Sequence, residues 1–172
     1  MYQFLKTISI LVFILQVIGC AGNKKIFQAV IKGDEAKVSQ YLSEQNDVNV
    51  KDDTGSSLLI YAAGHGYTKI VKMLLAAGID VNAKNKLNGT ALMNACNFGH
   101  DEIVKLLLEK GADVNVADTL DRTALMFAIA RYRIEITKEL FKYKPNVNVK
   151  NREGHTPLML AVLFQFTEAF PY

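Results

Sequence analysis

Three methionines, Met93, Met126 and Met159, stand 33 residues apart, and Ile60 holds the same position one interval earlier. A column of thioethers at a fixed spacing could hold a soft cation such as Cu(I). The competing reading is that these side chains fill irregular gaps between packed helices, which is the ordinary use of methionine. Histidine offers less. His65, His100 and His155 fall at different points of the interval and in no metal-ligand spacing. The only cysteines are Cys20 and Cys96, too few for a disulfide framework. Cys96 occupies a small core position, where an inert thiol is the default. No serine has a Gly-x-Ser-x-Gly context, and no Gly-rich loop is built to cradle phosphate. The residues therefore assign no catalytic set, cofactor or metal, and the expectation is a protein that is not an enzyme.

The 33-residue interval reaches far beyond methionine. Ala29, Ala62, Ala95, Ala128 and Ala161 share it, as do Asn49, Asn82, Asn115 and Asn148. Gly78-Ile79-Asp80-Val81-Asn82-Ala83 returns as Gly111-Ala112-Asp113-Val114-Asn115-Val116. A fixed period of this length means stacked supersecondary units, each burying its apolar face on its neighbours. In a unit, Ser57, Thr90, Thr123 or Thr156 can cap a first helix, and Pro157 fits the first helical position. Small Ala62 and Ala95 let adjacent helices approach. Gly66 and Gly99 separate the first helix from the second. Ile70, Val71, Leu74 and Leu75, then Ile103, Val104, Leu107 and Leu108, form the one-sided apolar face of the second helix. After Gly78 or Gly111 ends that helix, the Asp-Val-Asn segment buries its Val and uses its Asn to organise the turn.

The clearest unit runs from Gly89-Thr90-Ala91-Leu92 through Ala95, Gly99-His100 and Ile103-Val104 to Gly111-Ala112-Asp113-Val114-Asn115. It resembles the ankyrin repeat, and the resemblance extends over about residues 25–172. The resemblance implies an all-α repeat solenoid of paired antiparallel helices joined by short β-hairpin loops, about 4.5 repeats long, the last one truncated. It makes His100 structural. The family's His after Thr-Pro-Leu is replaced by Ile60, Met93, Met126 and Met159, which removes a hairpin-to-helix link and lowers the expected stability.

The best copies are Gly55 to Asn85 and Asn88 to Asp118. The first copy, about Lys25 to Asp52, carries Gln45 where a helix-ending Gly is expected. Its Asp34, Glu35, Lys37, Gln40 and Glu44 make the polar face of an N-terminal cap. The fourth, Asp121 to Asn151, has Tyr132 for the mid-repeat Gly and Lys144-Pro145 for Gly-Ala, which makes it a looser unit. The fifth starts at Gly154 and runs out near Phe166, so Leu163, Phe164, Phe166 and Phe170 are candidates for an exposed end. That end is either a self-association patch or simply frayed. Asn88-Gly89-Thr90 matches a glycosylation sequon and reads as a turn.

Residues 1–19 are a separate object. Ile8 to Ile18 is apolar except for Ser9 and Gln16, too short to span a bilayer comfortably and laid out like a signal-peptide core. It ends in Val17-Ile18-Gly19-Cys20, which resembles the bacterial lipobox. That resemblance implies a signal helix cut before Cys20, lipid on the Cys20 thiol, and a short tether over residues 20–24 leading into the repeat domain at 25–172. Two or more acyl chains anchor a protein stably where one does not. The alternatives are an ordinary signal peptide or an uncleaved anchor. Ala21 points to the outer rather than the inner membrane of a bacterial cell envelope. Lys24, Lys25, Lys32 and Lys37 would then either face anionic lipid or serve as the solvated end of the stack.

With 172 residues, half of them apolar, and a net charge of +3 of mixed sign, nothing demands a nucleic-acid partner. What the family resemblance implies is a protein-protein interaction module whose concave face is made of hairpin tips and the open side of each first helix. The matching positions are Tyr61, Asn94, Phe127 and Leu160, with Phe98 and Arg131 beside them. The tips include Lys51, Asp52, Asp53, Lys84, Asn85, Lys86, Asp118, Leu120, Asp121, Lys150, Asn151 and Arg152. Tyr61 and Phe127 are the foremost anchors, since aromatics dominate binding hot spots. A protective or structural accessory of a periplasmic enzyme is the alternative role, and a soft-metal binder a remote third.

Overall fold

The computed structural model describes residues 23–165. The signal segment, Cys20 and the stretch from Phe166 to Tyr172 lie outside the described residues. Helical residues 23–31 (α1) are followed by α2 (Glu35–Ser43), α3 (Leu58–His65), α4 (Thr68–Ala76), α5 (Ala91–Phe98), α6 (Asp101–Glu109), α7 (Ala124–Ala130), α8 (Ile134–Phe141) and α9 (Pro157–Leu163). Among the described residues no helix is long and apolar enough to cross a membrane.

The helices form two layers. An inner row packs α3 on α5, α5 on α7 and α7 on α9, and an outer row packs α2 on α4, α4 on α6 and α6 on α8. The chain is thus an all-α repeat solenoid with one continuous core. Ala62, Ala95 and Ala128 are wholly buried in the inner row. At those points a methyl group is all that separates neighbouring helices. Leu58, Leu92 and Leu125 fill the space beside them, and Ile70, Leu74, Ile103, Leu107, Ile136 and Leu140 close the core from the outer row. Each such side chain contributes about 1.5–3 kcal/mol by burial. The helices themselves are only seven to nine residues long from α2 onward, too short to persist alone. Stacking is what holds them.

Every inner helix from α3 to α9 starts as its sequence predicts. Ser57, Thr90, Thr123 and Thr156 accept from the backbone N–H of Ile60, Met93, Met126 and Met159, and Pro157 opens α9. Gly66 and Gly99 end α3 and α5 in the left-handed region, and each must also stay bare. A Cβ on Gly66 would lie 2.6 Å from the His100 ring, and one on Gly99 would lie 2.5 Å from the Arg133 guanidinium. His100 uses this close approach to bond Gly64 O through Nε2 (3.1 Å), and Arg133 bonds Phe98 O (3.1 Å). His100 and Arg133, at the starts of α6 and α8, thereby cap carbonyls at the end of the inner helix of the repeat before their own. His100 is structural, as the sequence implies.

The turn after each outer helix differs from expectation in one respect. The side chains of Asp47, Asp80, Asp113 and Asn146 organise the turn by accepting from the amide two residues on. The recurring Asn instead reaches forward. Asn49, Asn82 and Asn115 accept from the amides of Asp80, Asp113 and Asn146 in the following repeat, at 2.7–2.8 Å. The Asn column is a rivet between units.

Looseness in the fourth copy has a backbone form. Tyr132 and Lys144 sit at φ 55° and 52°, as Gln45 does at 56° in the first copy. A side chain there costs roughly 1–2 kcal/mol. Tyr132 also donates from its hydroxyl to Phe164 O.

Candidate functional site

The loops between repeats are closed by a recurring acceptor. Asp52 Oδ1 takes the amides of Thr54 and Ser56, and Asn85 Oδ1 those of Leu87 and Gly89. Asp118 Oδ1 takes those of Leu120 and Arg122, and Asn151 Oδ1 those of Glu153 and His155. Strand pairing is reduced to the isolated bridges Lys51–Ser57 and Ala117–Thr123 among the described residues. Successive loops are joined by backbone bonds from Lys86 N to Thr54 O, Thr119 N to Leu87 O and Arg152 N to Leu120 O. Asp52, Asn85, Asp118 and Asn151 therefore turn inward to hold their loops. What a loop presents to a ligand comes from the residues between them.

Those residues are exposed. Asp53, Lys84, Lys86, Asp121 and Arg152 all reach solvent, and Arg152 Nε lies 3.9 Å from Asp121 Oδ2. Lys51 Nζ bonds Lys84 O on the neighbouring loop (3.1 Å). Leu87 and Leu120 stand on adjacent tips at 66% and 43% exposure. Leu87 holds the repeat position of Leu120, so the frame that puts Leu120 on a tip also puts Leu87 there.

The inner-helix positions fall into different environments. Tyr61 is half-buried, stacked edge-on against Phe27 with ring centres 5.7 Å apart. Its hydroxyl donates to Asp52 Oδ2 at 2.7 Å. That bond, together with burial, raises the Tyr61 pKa. Burial pushes the Asp52 carboxyl up, but the hydrogen bonds from Thr54, Tyr61 and Ser56 outweigh it and leave the pKa below the usual value. Asn94 bonds backward to Ile60 O (3.3 Å). Leu160 is buried. Phe98 is exposed, with its ring 6.5 Å from that of His100.

Phe127 and Arg131 share a groove of about 380 Å³ along α7, whose other lining includes Asn97, Arg122, Leu160 and Phe164. Arg122 roofs Phe127, its Cζ 4.7 Å from the ring centre. Its Nε and Nη2 both bond Asp118 Oδ2, at 2.8 and 2.7 Å. Arg131 Nε bonds Asn97 Oδ1 at 2.9 Å. Arg122 is a site residue that pattern reading passes over. The signal was its place in the repeat frame: Ser56, Gly89, Arg122 and His155 share one position and no chemistry, so the frame leaves that position free to serve a ligand.

Met93, Met126 and Cys96 are placed for packing. Met93 and Met126 are buried between stacked inner helices and Met159 is half-exposed. Cys96 is a free, buried thiol whose pKa is driven far up by burial, with Asp101 nearby. Among the described residues no group of three or more His, Cys, Asp or Glu is placed to hold a metal ion.

At the far end of the inner row, Leu158, Met159, Val162 and Leu163 are exposed together. Phe164 is half-buried against Tyr132, and Phe166 and Phe170 lie outside the described residues. A family model described as ankyrin repeats (3 copies) matches residues 26–118 and 116–172. No curated protein matches the chain.

Proposed function

The chain belongs to the ankyrin repeat family, and from that premise we propose that it is a non-enzymatic protein-binding module that uses the face made by its loops and inner helices. The observation that carries this reading is the groove along α7, lined by Arg131 and by Phe127, with Arg122 lying over the Phe127 ring. Aromatic and arginine side chains on a rigid scaffold are the ordinary material of a binding hot spot. The fixed residues of the frame are occupied with holding the stack, while the charged and aromatic side chains of the groove, Arg122, Phe127 and Arg131, stand at positions whose residue type changes from repeat to repeat.

We further propose that the module is tethered to a bacterial cell envelope, on the periplasmic face and toward the outer membrane, by lipid on Cys20. The support is the apolar run ending at Val17-Ile18-Gly19-Cys20. Intact mass of the N-terminal peptide tests it, since cleavage before Cys20 with added acyl mass is the required result and an unmodified Cys20 overturns it.

The binding face is tested by crosslinking from detergent-solubilised membranes. Partner crosslinks gathered on Lys51, Lys84, Lys86 and Lys150 support the reading. Crosslinks gathered on the outer-layer Lys69, Lys72, Lys105 and Lys138 overturn it. Self-association is a second reading, favoured by the apolar patch on α9. Sedimentation of the mature chain tests it, and a strict monomer at high concentration refutes it.

A further inference from the structure

Arg131 is a cation held in place with its outer fork open. Its Nε bond to Asn97 Oδ1 links the last turn of α5 to the C-cap of α7. That bond leaves Nη1 and Nη2, which no side chain or carbonyl among the described residues engages. Arg122, in the same groove, is different: Asp118 takes two of its N–H groups and cancels its charge. The groove therefore carries one neutralised guanidinium lying over Phe127 and one uncompensated guanidinium at the C-cap end. Glu153 lines the opposite, loop-side end, with its carboxylate 3.4 Å from His155 Nδ1. Between these ends Met126, Phe127, Ala130, Leu160 and Phe164 supply apolar surface beside the polar Asn97, Arg122 and Asn151.

From this arrangement we infer that the groove is a subsite for an acidic side chain of a partner protein, with an apolar neighbour of that acid seated on Phe127 and Leu160. The inference rests on the proposed binding role of this face and specifies its chemistry. A planar guanidinium with two terminal N–H groups open matches a carboxylate end-on. Because Asn97 already fixes the Nε, less side-chain freedom is lost when the carboxylate arrives. Charge also sets direction. An acid is attracted at Arg131 and repelled at Glu153, so the partner segment lies with its carboxylate at the C-cap end of α7. A volume of about 380 Å³ lies at the small end of ligand sites, which suits a pair of side chains and excludes a folded element. The same register in the other repeats holds Lys32, His65, Phe98 and Phe164; the Lys32 ammonium is a point charge without a planar fork, so a guanidinium stands at this place once along the stack.

The test uses a displayed library of short random linear peptides selected on the intact repeat chain. Selected peptides are resynthesised with their acid changed to the matching amide. The expected hits carry Asp or Glu beside Leu, Ile or Phe. The acid-to-amide change weakens binding about tenfold, the size of one exposed charge-assisted contact of roughly 1.4 kcal/mol. Arg131→Gln gives the same loss for the acidic peptide and none for its amide, while Arg131→Lys keeps part of the discrimination. Thermal melts of each variant check that the fold is unchanged. Arg131→Gln that preserves acid discrimination overturns the subsite. Binders that are lost on Phe127→Leu yet make no distinction between acid and amide overturn the subsite alone. A library that yields no binder overturns it together with the binding role on which it rests.

Discussion

The Tyr61 hydroxyl donates to Asp52 Oδ2 at 2.7 Å and fastens α3 to the loop that precedes it. The family's His after Thr-Pro-Leu is absent from this chain, and with it a loop-to-helix link. In the second repeat Tyr61, one residue after that position, provides such a link. Arg122, bonded to Asp118 and lying over Phe127, joins loop and helix in the fourth. Tyr61 is therefore part of the frame, whatever it also contributes to a ligand.

Tyr61→Phe should destabilise the chain by about 1–2 kcal/mol, the range for a partly exposed hydrogen bond to a charged acceptor. The loss should depend on pH. The folded-state pKa of Asp52 is depressed, so its contribution is complete above the unfolded value of about 4 and disappears as pH falls through the lower folded value. The Tyr61 pKa is raised, so its contribution is complete below the unfolded value of about 10 and disappears as pH rises beyond the higher folded value. Denaturant midpoints of both proteins should differ by a constant amount between these limits and converge in strong acid. A difference that persists unchanged in strong acid would contradict the assignment.

Much of this was legible because repetition averages out local ambiguity. Ser57, Thr90, Thr123 and Thr156 cap as their spacing says, and the apolar pairs from Ile70-Val71 to Ile103-Val104 face inward. What stayed hidden were partnerships between repeats. A pattern shows that Asn82 recurs but not that its side chain points to the next unit's Asp113, because register between units is set by packing. The groove was half visible for the same reason. Phe127 and Arg131 share one helix and are readable as neighbours. Asn97 and Arg122 join them from an adjacent helix and a loop, a contact that no local spacing encodes.

Thr137 is completely buried in α8, and its hydroxyl has no hydrogen-bond partner. Val38, Val71 and Val104 hold the same place in the other repeats. Thr137→Val keeps the shape and removes the unpaired polar atom, so it should stabilise by about 1 kcal/mol or more. Urea denaturation should show a higher midpoint at unchanged slope. A lower midpoint would mean that the hydroxyl is satisfied.

Lys144 sits in the turn after α8 at φ 52°, where the second and third repeats have Gly78 and Gly111. Its side chain is exposed, so little is lost on removing it. Lys144→Gly should relieve the left-handed backbone, partly offset by greater freedom of the unfolded chain, for a net gain of roughly 0.5–1 kcal/mol. A small rise in melting temperature is the expected reading, and Lys144→Ala, which keeps a Cβ, should show none.

Gly66 and His100 belong to different repeats and act as one unit. His100 Nε2 donates to Gly64 O, and the ring lies against the bare face of Gly66. Gly66→Ala places a methyl group 2.6 Å from the ring and keeps φ at 78°. The ring must move, which forfeits the Gly64 bond and adds its loss to the backbone penalty, about 2–3 kcal/mol together. His100→Ala alone removes the bond and costs about 1 kcal/mol. In the double variant the clash has no second partner, so adding Gly66→Ala to His100→Ala should cost only the backbone penalty of about 1 kcal/mol. The two changes should therefore be less than additive, with a coupling energy of about 1 kcal/mol or more in a double-mutant cycle followed by thermal or denaturant unfolding. Additive losses would show that Gly66 is required for its backbone conformation alone and that the close approach of His100 across the repeat boundary contributes nothing.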